Sequence, residues 1–248
     1  MNILALIPAR MGSSRFPGKP MAPICGKPMI GHVYERVARS PLLAMTAVAT
    51  CDYEIFDYIQ SIGGKAVMTA DTYERASDRC AEALLKLEQE YGIRYDIVVM
   101  VQGDEPMTHP DMIAEAVQPM LDDASIQVVN LLGKIFDIVE FEDRNCIKVV
   151  CDLNLNALYF SREPIPTRSK ASNVPMVKQV CIIPFRRDYL LQYTSLTPTP
   201  LEIAESVDMM RVLEHGERIR MAPTKHSSYS VDTPADLVRV EKLMLAFL

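Results

Sequence analysis

The chain of 248 residues contains no tryptophan. It also has no apolar run approaching the roughly 20 residues that a helix needs to cross a bilayer, so membrane insertion is not expected. The opening MNILALIPARMGSSR is apolar only as far as Ala9 and then turns basic, which is neither the order nor the length of a secretion signal. Six cysteines are scattered without a C-x-x-C pair. In a chain of this length they read as reduced, mostly buried small side chains rather than a disulfide framework, and a cytoplasmic location follows as the expectation. Positive charge is not in excess, with 26 Lys+Arg against 32 Asp+Glu and a net charge of −6. A diffuse nucleic-acid footprint needs a basic surface and is therefore disfavoured. Two phosphate-binding signatures are missing as well. The sequence G-x-x-x-x-G-K-[ST] does not occur, and the absence of G-x-G-x-x-G argues against a dinucleotide oxidoreductase.

What is present is a hydrophobic fraction of 49 %, enough for one large α/β domain spanning 1–248. The run ILALI reads as a buried first strand, Ala44–Thr50 as the next, Lys65–Met68 as a short third, and Asp96–Val101 as an almost unbroken parallel-sheet strand. Helical spacing fills the intervals: from Ile30, over DYEIFDYIQSIG, and over CAEALLKLEQEYG, the last entered from Ser77-Asp78-Arg79 and closed by Gly92. Strand and helix alternating in this way predict crossovers in a doubly wound sheet. The second half is less regular, above all over roughly 125–200. There QVVNLL, CIKVVCD, ALYFSREPIP and QVCIIPF each read as a strand, and TPLEIAESVDMMRVLEHG as one helix stopped by Gly216.

Three features carry chemistry. Arg10, Arg15 and Lys19 lie within ten residues, interleaved with Gly12, Ser13, Ser14 and Gly18, directly after the first strand. In open α/β sheets ligands bind at the carboxyl ends of strands. Glycines let backbone N–H groups form an anion nest, and long cations meet phosphate oxygens. An exposed basic turn is the plain alternative. Gln102-Gly103-Asp104-Glu105-Pro106 ends the best central strand, where a carboxylate needs a partner. Asp104 there is either a helix cap or a ligand of Mg²⁺, which favours oxygen donors and bridges to phosphates. Asp232, in VDTPADL, poses the same choice, since Asp232 or Thr233 with Pro234 and Asp236 forms a strong helix start. A cationic loop with two such aspartates suggests nucleotidyl transfer, which rests on positioning and electrostatics and needs no covalent nucleophile.

These same residues carry a likeness. IPARMGSSRFPGKPM, ICGKPMIGHV, VQGDEPM, NALYFSREPIP and VDTPADLVRVE, in that order and across nearly the whole chain, resemble the CMP-Kdo synthetases (3-deoxy-manno-octulosonate cytidylyltransferases). The resemblance implies a three-layer, Rossmann-like nucleotide-diphospho-sugar transferase fold with a mixed, mostly parallel central sheet, and usually a homodimer. It implies use of CTP and Mg²⁺ to form a CMP-activated acid sugar with release of pyrophosphate. It places Arg10, Arg15 and Lys19 at the triphosphate, with Arg15, Lys19 and Asp104 in the catalytic set. Pro8, Ala9 and Arg10 would line the cytosine side and Arg79 would sit beside the cytidine. Asp104 and Asp232 would hold magnesium, Gln102 would lie near sugar and nucleotide, and Arg162 near the acceptor region.

The acceptor region departs from that pattern. The family's H-x-S-G-T-[ED]-R stands here as Tyr73-Glu74-Arg75-Ala76-Ser77-Asp78-Arg79. Its H-L-G-I-Y-G-[YF]-R becomes Gln179-Val180-Cys181-Ile182-Ile183-Pro184-Phe185-Arg186, so a His and a Tyr around the sugar are Gln179 and Ile183. Its L-E-Q-L-R becomes Val207-Asp208-Met209-Met210-Arg211, so Glu-Gln is Asp208-Met209. A buried sugar hydroxyl left without its partner costs roughly 1–3 kcal/mol. An altered acidic acceptor, ordinary Kdo in a rearranged pocket, and a homologue that binds nucleotide without turnover all follow as alternatives, as does use of another nucleoside triphosphate. Met209 and Met210 also fit as helical core filler.

Overall fold

The computed structural model describes residues 1–12, 15–171 and 173–246. The chain resolves into two compact units, Met1–Ala114 with Ser228–Leu248, and Glu115–Ser227. The less regular stretch expected over 125–200 falls inside the second.

In chain order the first unit contains β1 (Ile3–Ala9), β2 (Pro23–Ile24), β3 (Lys27–Pro28), α1 (Met29–Val37), β4 (Met45–Thr50), α2 (Tyr53–Ser61), β5 (Lys65–Met68), α3 (Ala76–Tyr91), β6 (Ile97–Val101) and the start of α4 (Pro110–Asp122). Its strands run parallel in the order β6-β1-β4-β5. All seven residues of β1 and all five of β6 are buried. That is why both read as continuous apolar runs: a parallel strand covered on both faces has no polar side to alternate with. Helix α3 turns Cys80, Ala83, Leu84 and Leu87 inward. It ends at Gly92, whose φ of 64° is the left-handed cap that favours glycine. Ser77–Arg79 form its first turn rather than a lead-in. The described residues of the first loop are not α-helical, as its prolines require, but they hold one 3₁₀ turn at Lys19–Met21 and the β2–β3 hairpin.

The second unit contains β7 (Val129–Lys134), α5 (Ile138–Glu142), β8 (Lys148–Cys151), β9 (Ala157–Ser161), β10 (Val177–Val180), β11 (Ile182–Arg186), α6 (Arg187–Ser195), α7 (Pro200–Glu205), α8 (Met209–Glu214) and β12 (Arg220–Pro223), after which α9 (Pro234–Ala246) belongs again to the first. Its sheet order is β12-β7-β10-β8-β9, antiparallel except for the β12–β7 pair. Two expectations fail here. The single strand over QVCIIPF is two strands, because Val180 pairs with Leu131 whereas Phe185 bridges Val128. Five steps on one side therefore match three on the other, and the extra residues break the ladder at Cys181. The single helix ending at Gly216 is also two helices. Ser206 adopts φ 51°, ψ 50°, which stops α7 although the apolar spacing continues.

Polar groups are sunk deep in this second unit. Lys148 is fully buried, and its Nζ donates to the carbonyls of Asp143, Cys146 and Arg162 at 2.7, 2.6 and 2.6 Å. Burial pushes its amine below the usual lysine range. Arg211 and Glu202 form a buried two-bond ion pair at 2.8 and 2.7 Å that ties α8 to α7.

Candidate functional site

The order β6-β1-β4-β5 fixes where a ligand site belongs. The chain leaves β1 for β4 and β5 on one side and returns to β6 on the other, so the loops after β1 and β6 diverge and leave a crevice at their carboxyl ends. The first cationic loop follows β1, and Gln102-Gly103-Asp104 follows β6. Gly103 lets that turn lie against β1, since a Cβ there would meet the Pro8 carbonyl at 3.2 Å and Ile30 at 3.3 Å.

Four charged side chains meet at this point. Lys19 Nζ donates to Asp104 Oδ2 at 2.8 Å and to the Val231 carbonyl at 2.8 Å, and lies 3.8 Å from Asp232 Oδ1. Arg15 reaches the same Asp232 oxygen at 2.7 Å. The return segment is stitched to the β6 turn by Val231 N–H donating to the Asp104 carbonyl at 2.9 Å and by Ser228 Oγ donating to buried Glu105 Oε2 at 2.7 Å. Burial, and then the negative charge of Asp104, push the Asp232 carboxyl above its usual range, against the pull of Lys19 and Arg15. Two hard-oxygen carboxylates close enough to share one ammonium, with one of them raised by the other, form a donor set suited to a divalent cation such as Mg²⁺.

The capping alternatives are resolved by partners. Thr233 and Asp236 cap α9: Asp236 N–H donates to Thr233 Oγ1 at 3.3 Å, and Thr233 N–H donates to Asp236 Oδ2 at 2.9 Å. The Asp232 carboxylate faces the cations instead. Asp104 faces Lys19, six residues ahead of α4.

The backbone nest is corrected in part. Gly18 N–H already donates to the Met11 carbonyl, and Lys19 N–H to Phe16, so these amides are spent on closing the loop. Gly18 serves its turn through a φ of 73°. Ser13 and Ser14 lie outside the described residues. Met11 N–H is held by Asp52 Oδ2 at 2.8 Å. That anchor was not foreseen, although Asp52 follows β4 much as Asp104 follows β6.

Pro8 and Ala9 are buried at the end of β1, Arg10 is exposed, and Gln102 is half-buried in the β6 turn. Arg79 is buried, with its guanidinium donating to Thr69 Oγ1 and to the Ala70 and Tyr73 carbonyls. It braces the loop before α3.

The other predicted residues belong to the second unit. Arg162 donates through its guanidinium to the carbonyls of Glu205, Arg144 and Ser206. The Glu205 carboxylate in turn accepts from Tyr159, Ser161 and the Arg162 N–H. Ile183 and Met209 are 3 % and 0 % exposed, and Asp208 precedes α8 with its carbonyl accepting from Tyr193. Gln179 donates from Nε2 to Asn130 Oδ1 at 2.6 Å. Asn130 was not singled out from the sequence, yet a lone amide within the apolar run VVNLL was its signal.

A family model described as Cytidylyltransferase matches residues 4–219. A 3-deoxy-manno-octulosonate cytidylyltransferase of Syntrophus aciditrophicus (strain SB) is 45 % identical over 98 % of both chains. That of Geobacter metallireducens is 44 % identical over 98 % of both. Among solved structures, a CMP:2-keto-3-deoxy-manno-octonic acid synthetase complexed with CTP matches over 100 % of both chains at 39 % identity, with a TM-score of 0.91. Agreement of this kind from end to end, in sequence and in fold, establishes that the chain belongs to the CMP-Kdo synthetase family of cytidylyltransferases and is a nucleotidyltransferase.

Proposed function

We propose that this chain transfers CMP from CTP to the anomeric hydroxyl of 3-deoxy-manno-octulosonate or a closely similar acid sugar, as a cytoplasmic homodimer. The acceptor oxygen bonds to the α-phosphorus, the bond from that phosphorus to the bridging oxygen breaks, and pyrophosphate leaves with the electron pair. The hydroxyl proton passes to solvent, and no side chain is assigned as its base.

The observation that carries this reading is the meeting of Arg15, Lys19, Asp104 and Asp232 beside the ends of β1 and β6. Lys19 and Arg15 supply the charge that stabilises a departing pyrophosphate, and Arg10 extends the same cationic arm. With the Gly18 and Lys19 amides already bonded, side chains rather than those N–H groups meet the phosphates. Asp104 and Asp232 would hold Mg²⁺, which neutralises phosphate charge and makes an acceptor hydroxyl more acidic. Pro8, Ala9 and Arg10 offer their backbone to the cytosine, and Arg79 holds the neighbouring loop in shape. Gln102, Gln179 and Asp208 remain candidates for the acceptor. Arg162 acts by fixing the backbone around Glu205 and Ser206, because its guanidinium is already committed to three carbonyls.

The test is incubation of the purified protein with Mg²⁺, each of CTP, UTP and GTP, and a panel of acid sugars. Pyrophosphate release and the mass of the nucleotide adduct are measured. Release with CTP and a 3-deoxy-ulosonic acid is expected. Absence of release with every pair overturns the reading.

A further inference from the structure

Asn130 is a side-chain amide with no exposure to solvent, the second residue of β7. Its Nδ2 donates to two main-chain oxygens, of Leu131 and Val180, each at 2.9 Å. An amide nitrogen has two protons, so both are spent. Turning the group over would set its oxygen against two carbonyl oxygens in a buried place, which the network forbids. The Asn130 oxygen is therefore fixed as an acceptor, and Gln179 Nε2 donates to it at 2.6 Å. This fixes the sense of the second amide in turn. Gln179 Oε1 has no hydrogen-bond partner among the described residues and is not sealed from solvent.

We infer that Asn130 is a positioning residue that locks the amide of Gln179, so that Gln179 Oε1 reads a hydroxyl donor on the acceptor sugar. The inference rests on the reading that Gln179 faces that acceptor. An amide oxygen accepts a hydrogen bond from a hydroxyl and repels a carboxylate, so this position selects a neutral hydroxyl-bearing part of the sugar and not its acid end. It also separates Gln179 from the other departures: Ile183 and Met209 are packed in the core, whereas Gln179 keeps an open polar atom.

A double-mutant cycle tests this, with steady-state kinetics on CTP, Mg²⁺ and 3-deoxy-manno-octulosonate. Gln179→Leu is expected to raise the acceptor KM about tenfold, the worth of one hydrogen bond, with the CTP KM unchanged. Asn130→Ala is expected to raise the acceptor KM as well, and to add nothing in the Gln179→Leu background. Among acceptor analogues each lacking one hydroxyl, one should be penalised by the wild type and not by Gln179→Leu. If Asn130→Ala does not fold, Asn130→Ser takes its place in the cycle, and the analogue series with Gln179→Leu still decides whether the oxygen reads a hydroxyl. Equal effects of Asn130→Ala in both backgrounds, or an acceptor KM unmoved by Gln179→Leu, overturn the inference. A wild type that turns over no acid sugar overturns instead the reading on which it rests.

Discussion

The two compact units use charge in opposite ways. In the first, cations and carboxylates gather at the open ends of parallel strands: Arg15 is half exposed, and Lys19 and Asp232 keep 12 % of their side-chain surface open. In the second, the charged pair Glu202–Arg211 is almost sealed, at 0 % and 4 %, and the buried Lys148 ammonium donates to three main-chain carbonyls. A sheet covered on both faces leaves room for polar groups only at its strand ends, where a ligand can reach them. In the second unit the carbonyls of Asp143, Cys146 and Arg162 lie just outside the strands, and the buried Lys148 amine is bonded to them. The cluster of Arg15, Lys19, Asp104 and Asp232 keeps part of its surface open, whereas Glu202, Arg211 and Lys148 are consumed by the fold.

Substitutions that part activity from stability test this contrast. Lys19→Met and Asp104→Asn should each cut pyrophosphate release with CTP by at least about a hundredfold, on the scale of losing one group that stabilises charge in the transition state. Their circular dichroism and melting temperature should stay near those of the wild type. Substantial unfolding of both would mean that the cluster is structural, like its counterpart in the second unit. Arg211→Met should do the reverse. It leaves the buried Glu202 charge without its Arg211 cation, at a cost of about 3–5 kcal/mol in urea unfolding, whereas replacing both partners by apolar residues should recover much of that loss. A single substitution costing less than about 1 kcal/mol would contradict the burial argument.

The smallest effect concerns pH. Because burial and Asp104 raise the Asp232 carboxyl, the folded chain holds that proton more tightly than the unfolded chain. The stability this adds is complete at pH values below the unfolded carboxyl pKa and is lost as pH rises through the raised folded value. Thermal melts without added metal should therefore show a decline from the ordinary carboxylate range upward that is absent in Asp232→Asn. Added Mg²⁺ should shrink it by favouring the ionised form. Identical pH profiles for the two proteins would remove Asp232 as its source.

Much of the first unit was legible because its signals are local. The burial of β1 and β6 is written in their uninterrupted apolar residues, the end of α3 in Gly92, and the start of α9 in Thr233-Pro234-x-Asp236. The meeting of Lys19 with Asp232 was not legible, since no local rule brings together residues that far apart, and Asp232 taken alone read first as a cap. Only the partners of Thr233 and Asp236 show who caps the helix. In the second unit the local signals mislead. The apolar spacing runs on through Ser206 while the backbone does not, and QVCIIPF hides a change of register at Cys181. Asn130 and Lys148 are polar letters in apolar runs, and their meaning lies in main-chain carbonyls that no local pattern shows: those of Leu131 and Val180 for the first, those of Asp143, Cys146 and Arg162 for the second.

The hydrogen bond from Lys19 to the Val231 carbonyl joins positions 212 residues apart, across the whole insertion that forms the second unit. During synthesis the cationic arm and the β6 turn exist long before the segment that completes them. A ribosome-bound chain halted before Ser228 carries Asp104 and Lys19 but neither Asp232 nor the bond that holds the return segment. Loop closure over such a span grows only slowly with its length, by about 0.6 kcal/mol per doubling. Delay rather than energy is therefore the main cost of this arrangement, and the four-residue cluster can assemble only once synthesis has passed Asp232.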